Sequence, residues 1–341
     1  MRTDKPVLRG GKSLLVPVLI FAALCVALIR IGFLSIFFLV PLGFCAVAFS
    51  PAAAWFCFVI AAFGNAVFSA VLSIRYGAGL AGAGPAAAGF DILLFTVLAL
   101  GFTWIMAGNP LPFMPRVRTA FRFISASIAG SLVLLAIIYS AGKDENFLAL
   151  ARSQIEAVSS NLIASSSADP LQQEAMERLL VPDKIIETLF SLSFRGAALV
   201  TLFFLFYISR RIAFFMARLI MKKQENVNGD LICFHAPKKT IWFFSLCLPV
   251  IVACSIFSLK YIEIAAWYVL IICVILFLAQ GGGIVLHYLA RRPVPVFARL
   301  LGSLLFVFLV LSPGVNLVVI AALVLLGIAE NWLPLRVKSE E

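Results

Sequence analysis

Charge is the first thing this sequence is short of: 13% of its 341 residues are Asp, Glu, Lys or Arg, about half the share of an ordinary soluble domain. Histidine is scarcer still, His235 and His287 being the two copies. Two imidazoles do not build a histidine-rich metal centre, and neither HExxH nor a CxxC pair occurs. A GxSxG elbow is missing as well, and GGKSLL near Gly11 lacks the upstream glycine of a phosphate-binding loop. Asp91, Glu263 and Glu330 fall at the edges of apolar runs, so no pair of acids sits at depth for intramembrane catalysis. The expectation is a chain without catalytic residues, metal or cofactor.

What is abundant is oil. Hydrophobic residues make up 63% of the chain, Phe alone contributes 32, and the mean hydropathy is +1.08, far outside the soluble range. This composition reads as an all-α, polytopic transmembrane helix bundle with the lipid bilayer as its partner. The formal charge of +11 does not call for nucleic acid, because membrane proteins gather Lys and Arg in cytoplasmic loops. Seven cysteines lie almost entirely inside apolar runs and none falls in the polar stretch 143–187, so they read as small hydrophobes rather than a disulfide framework. The basic N-terminus and first apolar run resemble a signal peptide but lack a clear cleavage site, which predicts a retained first helix.

A span needs roughly 20 apolar residues. About ten candidates follow: 14–29, 33–49, 52–74, 92–107, 124–141, 188–209, 241–257, 262–290, 300–311 and 315–329. The first two and last two are short, and either pair is compatible with a re-entrant or tilted hairpin. With both termini in the cytoplasm, 19 of the 27 Lys and Arg fall inside, as the positive-inside rule demands. The predicted organisation is an N-terminal five-span half (1–142), an extracytoplasmic amphipathic excursion (143–187) and a C-terminal five-span half (188–341) with a cytoplasmic loop at 210–240. Five plus five spans would place the halves in opposite orientation, as in inverted-repeat transporters.

The excursion carries eight acids and four bases, and Phe147, Ala151, Ile155, Val158 and Leu162 recur at helical spacing. Two amphipathic helices are expected there, separated by the Ser-rich ASSSADP and forming either a cap on the outer leaflet or a lid. The cytoplasmic loop begins RRIAFFMARLIMKK, an apolar face with basic ends suited to anionic lipid. A small hairpin is expected around ENVNGDLICFHAPKK. The Gly/Ala-rich run from Tyr76 to Phe90 reads as a loop.

Polar residues inside the spans are few, and burying them in lipid is costly. Asn65 lies among small residues and suits either helix packing or a binding site; Arg195 can snorkel; Asn316 follows Pro313 and Gly314 and suits a cap. The densest cluster is AQGGGIVLHYLARRP. Gln280 and His287 are seven residues apart, on nearly one helical face, with Gly281, Gly282 and Gly283 between them. Three glycines weaken a helix by about 1 kcal/mol each relative to Ala. They either let another helix approach or permit a break that lines a cavity. The substrate-binding candidates are therefore Gln280, Gly281, Gly282, Gly283, His287 and Asn65.

LFLAQGGGIVLHYLARR, followed by a closing VVIAALVLLGIAENWLPLR, resembles the YybS-like family of uncharacterised bacterial membrane proteins. The resemblance rests on the Gln280-Gly281 pair and on a closing pattern of Gly327, Glu330, Trp332 and Arg336, with Glu330 where the family often has Asp. It implies a multi-pass protein of the bacterial cytoplasmic (inner) membrane, distantly similar to the S components of energy-coupling-factor transporters. That likeness implies capture and translocation of a small molecule, and docking to transporter subunits through small residues of the first helix, here Ala23 and Ala27. The competing expectation is a non-catalytic scaffold for cell-envelope or division proteins.

Overall fold

The computed structural model describes residues 15–76, 85–108, 119–165, 180–221, 234–291, 315–333 and 335–336. It is 89% helical, and no strand occurs among the described residues. The chain separates into two compact units, Met1–Gln224 and Glu225–Glu341. Unit 1 holds α1 (Leu15–Ile29), a 3-10 turn (Gly32–Phe37), α2 (Val40–Ala48), α3 (Pro51–Tyr76), α4 (Pro85–Ala107), α5 (Thr119–Ala141), α6 (Glu145–Ser165), α7 (Pro182–Leu192) and α8 (Ala198–Met221). Unit 2 holds α9 (Thr240–Phe257), α10 (Lys260–Arg291) and α11 (Val315–Ala329).

Among the described residues, six stretches are long and apolar enough to cross a bilayer: Pro51–Leu72, Gly89–Ala107, Thr119–Ala141, Pro182–Met221, Thr240–Phe257 and Lys260–Leu289. Leu15–Ile29, Leu34–Ala48 and Val315–Ala329 are shorter apolar helices. The span anticipated at 300–311 lies outside the described residues, as do 77–84, 166–179 and 222–233, which take in most of the anticipated hairpin and of the Ser-rich turn. Boundaries differ from expectation at two places: the helix expected to close at Ser209, before a cytoplasmic loop at 210–240, runs on to Met221 with Ala213 and Ala217 buried, and the start of α4 lies earlier. Residues 85–90, read as loop, form the first turns of α4, because Pro85 supplies the fixed φ and missing N–H that suit a helix start.

Unit 1 is built around α2. Eight of its nine residues are buried, the pattern of a helix enclosed by others rather than facing lipid along one side. Gly43 allows that enclosure: a Cβ there would stand 2.7 Å from Ala213 Cβ on α8. Phe102 of α4 stacks on Phe206 of α8 at 6.1 Å, both fully buried. α1 and α3 run side by side in the same direction, since Gly64 meets Val26 and Arg30 reaches Ser69. The C-terminus of α4 is closed twice. Gly108, at φ +77, makes the left-handed cap, and Arg122 Nη1 donates to the carbonyls of Trp104 and Ile105 at 3.1 Å each.

The polar stretch after α5 folds into α6 and α7, which pack on each other within unit 1, with an exposed ion pair from Arg152 Nε to Asp183 Oδ1 at 2.7 Å. α7 enters α8 through a π-helical turn, Ser193–Ala197, where Gly196 takes φ 106 and ψ 7. Only glycine adopts that conformation without cost. Gly196→Ala is expected to destabilise unit 1 by about 1–3 kcal/mol, read as a lower melting midpoint of the detergent-solubilised protein; an unchanged midpoint would show that the turn relaxes freely.

Candidate functional site

Two polar networks stand out, one in each unit, and they differ in how completely they are satisfied.

In unit 2 the glycine question resolves into packing. α10 is a continuous helix through Gly281, Gly282 and Gly283, with no break. It crosses α11 backbone to backbone: a Cβ on Gly281 would lie 1.9 Å from the Leu323 carbonyl oxygen, and one on Gly327 would lie 2.1 Å from the Phe277 oxygen. Gly282 has open space on its Cβ side, and Gly283 is buried. The hydrophobic cluster of Phe277, Cys273, Val324 and Ala236 surrounds this crossing, and Phe244 of α9 meets Phe277 edge-on at 5.9 Å.

Beside the crossing, Gln280 is 2% exposed and both ends of its amide are occupied. Its Oε1 accepts from the Ala236 N–H at 3.0 Å, and its Nε2 donates to Glu330 Oε2 at 2.8 Å. Glu330, just past the end of α11, takes Arg336 in a bidentate pair, Nε to Oε1 at 2.6 Å and Nη2 to Oε2 at 2.5 Å. Arg336 Nη2 also donates to the Phe234 carbonyl at 2.8 Å. Both charged side chains are about 95% buried. The structure thus joins Gln280 to Glu330 and Arg336 but leaves Trp332 out, 69% exposed. His235 Nε2 stands 3.8 Å from Glu330 Oε1 at the solvent edge. His287 is on α10 beside the Tyr288 ring, its buried Nε2 without a partner among the described residues.

Burial acts to raise the Glu330 carboxyl, but hydrogen bonds from Arg336 and then Gln280, with the charges of Arg336 and His235, more than reverse it, so it titrates below its ordinary value. Gln280 Oε1, Gln280 Nε2 and both Glu330 oxygens each have a partner within the protein. Such a network clamps α10, the 234–236 segment and the chain after α11 together.

Unit 1 contains a network that the sequence did not announce. Arg30, at the end of α1, uses Nη2 alone to reach Asn65 Oδ1, Ser69 Oγ and Asp91 Oδ2, each at 2.6 Å. Ser69 Oγ also donates to Asp91 Oδ2 at 2.7 Å. Asn65 and Ser69 are buried on α3, and the Arg30 and Asp91 side chains are 25% and 32% exposed. The Phe68 ring lies 5.3 Å from the guanidinium carbon. Arg30 Nε and Asn65 Nδ2 are buried without partners among the described residues. Arg30 Nη1 and Asp91 Oδ1 likewise bond to no described residue.

Arg30 also closes one end of an apolar groove of about 530 Å³ between α1 and α3. Its floor includes Ala23, Ala27 and Gly64, and Leu19 and Phe68 line it further along. Ala23 and Ala27, which the likeness to S components offered as a docking pair, therefore border open space. Of the sequence candidates, Asn65 joins this network, while Gln280 and its glycines belong to the clamp of unit 2. Reading along the chain missed Arg30, Ser69 and Asp91. The available signal was opposite charges at the edges of the first and fourth apolar runs, whose pairing the chain order conceals.

Comparison with family models, with curated proteins and with solved structures finds no match to this chain.

Two outcomes follow from the clamp. Gly281→Ala is expected to force α10 and α11 apart and lower the melting midpoint sharply, while Gly282→Ala is neutral or mildly stabilising, as expected of Ala in an unobstructed helix. Equal effects of the two would refute the backbone crossing. Because the Glu330 carboxyl is depressed on folding, its contribution is full above the ordinary Glu value of about 4.3 and is lost as pH falls through the lower folded value. Thermal melts from pH 7 down to 3.5 should therefore show an acid-side loss that Glu330→Gln, already less stable at neutral pH, no longer displays.

Proposed function

We propose that the chain is a multi-pass protein of a bacterial inner membrane that binds and helps translocate a small molecule, and that the Arg30 network of unit 1 marks the binding site. One observation carries this reading: a part-exposed Arg30–Asp91 pair stands among apolar helices, with Arg30 Nη1 and Asp91 Oδ1 bonded to no described residue and Arg30 lining the end of an open groove. Charged groups among membrane helices are costly, and where they persist they mark substrate or ion pathways more often than bare scaffolding. The clamp of unit 2, by contrast, leaves no comparable free edge around Gln280, and its role is structural. The distribution of Lys and Arg supports cytoplasmic termini, an arrangement with Arg30 and residues 143–187 on the outer side. Similarity of the closing motif to the YybS-like family, and of the overall organisation to S components, supports the same assignment.

The test is purification of the full chain from native membranes in mild detergent, with mass spectrometry of both small molecules and co-purifying proteins. Wild type is expected to retain a low-molecular-weight compound that Arg30→Gln loses at unchanged membrane abundance. Recovery of envelope-assembly proteins with no bound compound would replace this reading by the scaffold.

A further inference from the structure

The groove of unit 1 combines three properties that together define a ligand class. Its floor is apolar and made low by Ala23, Ala27 and Gly64, so its shape accepts a chain rather than a ring system. Between Leu19 and Arg30, eleven residues of α1 give it a run of roughly 16 Å at 1.5 Å per residue. Its walls continue into lipid-facing surface, with Leu19 51% and Phe68 43% exposed.

The polar end is neither a simple cation nor a simple anion. Arg30 and Asp91 are paired at 2.6 Å, so the end is close to neutral overall. The pairing leaves each partner half used. On Arg30 all three bonds leave from Nη2, and Nη1 bonds to no described residue; Nε and the neighbouring Asn65 Nδ2 also lack a described partner but are enclosed. On Asp91 both bonds arrive at Oδ2, and Oδ1 bonds to no described residue. A free donor edge beside a free carboxylate oxygen is complementary to a headgroup that carries its own anion and its own N–H cation. A purely anionic headgroup would satisfy Arg30 but face Asp91 with like charge.

We propose that this groove, on the binding reading given above, holds a zwitterionic phospholipid bearing a primary ammonium. One acyl chain lies along Ala23, Ala27 and Gly64, the phosphate oxygens accept from Arg30 Nη1, and the ammonium donates to Asp91 Oδ1. Ala23 and Ala27 then serve as the bed of an acyl chain rather than as a helix-docking pair.

The probes are phosphatidylethanolamine, phosphatidylglycerol and phosphatidylcholine, presented in equal amounts in nanodiscs carrying the full chain, with lipid retention read by native mass spectrometry after release. One phosphatidylethanolamine per chain is expected, roughly tenfold over phosphatidylcholine, the equilibrium weight of a single charge-assisted hydrogen bond to Asp91. Asp91→Asn should shift retention towards phosphatidylglycerol. Ala27→Phe, which fills the groove without touching the polar network, should abolish retention with no loss of melting midpoint. Equal retention of the three lipids by wild type, or retention unchanged in Ala27→Phe, would overturn the proposal. The two readings fail differently. A polar solute lost in Arg30→Gln but kept in Ala27→Phe sinks the lipid and leaves the binding site standing. Wild type that keeps neither lipid nor solute sinks both.

Discussion

A polar group enclosed by apolar helices has no water to fall back on, and the protein must supply its partner or leave it unpaired at a cost of several kcal/mol. That constraint organises both units. In unit 2 it draws Gln280, Glu330, Arg336 and two backbone groups of residues 234–236 into one closed set. In unit 1 it binds the ends of α1, α3 and α4 through Arg30, and it closes α4 through Arg122. A buried ion pair of the Glu330–Arg336 kind is weak evidence of net stability, since desolvation offsets the attraction, but loss of one partner strands the other. The clamp therefore determines register more than it adds stability.

Close packing supplies what the hydrophobic effect cannot. Lipid tails are as apolar as leucine, so helices in a membrane associate through shape, and small residues at the crossing bring backbones together. Gly281 and Gly327 do this reciprocally, each standing where the other helix's backbone passes. Gly43 does it for α2 against Ala213. These contacts place the polar sets as well: the crossing at Gly281 brings the chain after α11 alongside Gln280, one residue away.

The two networks differ in completeness. At Gln280 both ends of the amide are taken up inside the protein. At Arg30 the same chemistry is left with open edges beside an open groove. A site that binds must hold back some of its hydrogen-bonding capacity, and the Arg30 network meets that condition where the Gln280 amide does not.

The helical membrane class was legible in composition alone, because runs of apolar residues this long with so little charge have no other stable arrangement. Spacing marked Gln280 and Gly281 as unusual, since they break the apolar pattern around them, while Glu330 and Arg336 were marked by the resemblance to a family's closing pattern. It did not tell a break in α10 from a tight crossing, because three glycines permit either and the neighbour that decides lies on α11, more than forty residues away. Nor did it reveal Arg30 as anything but an outer loop cation, since its partners Asn65, Ser69 and Asp91 are 35, 39 and 61 residues distant. Local periodicity determines which residues share a helix face and which groups need partners. Which partner each one finds is decided only when the helices pack, because that choice depends on distances across helices that chain order does not encode.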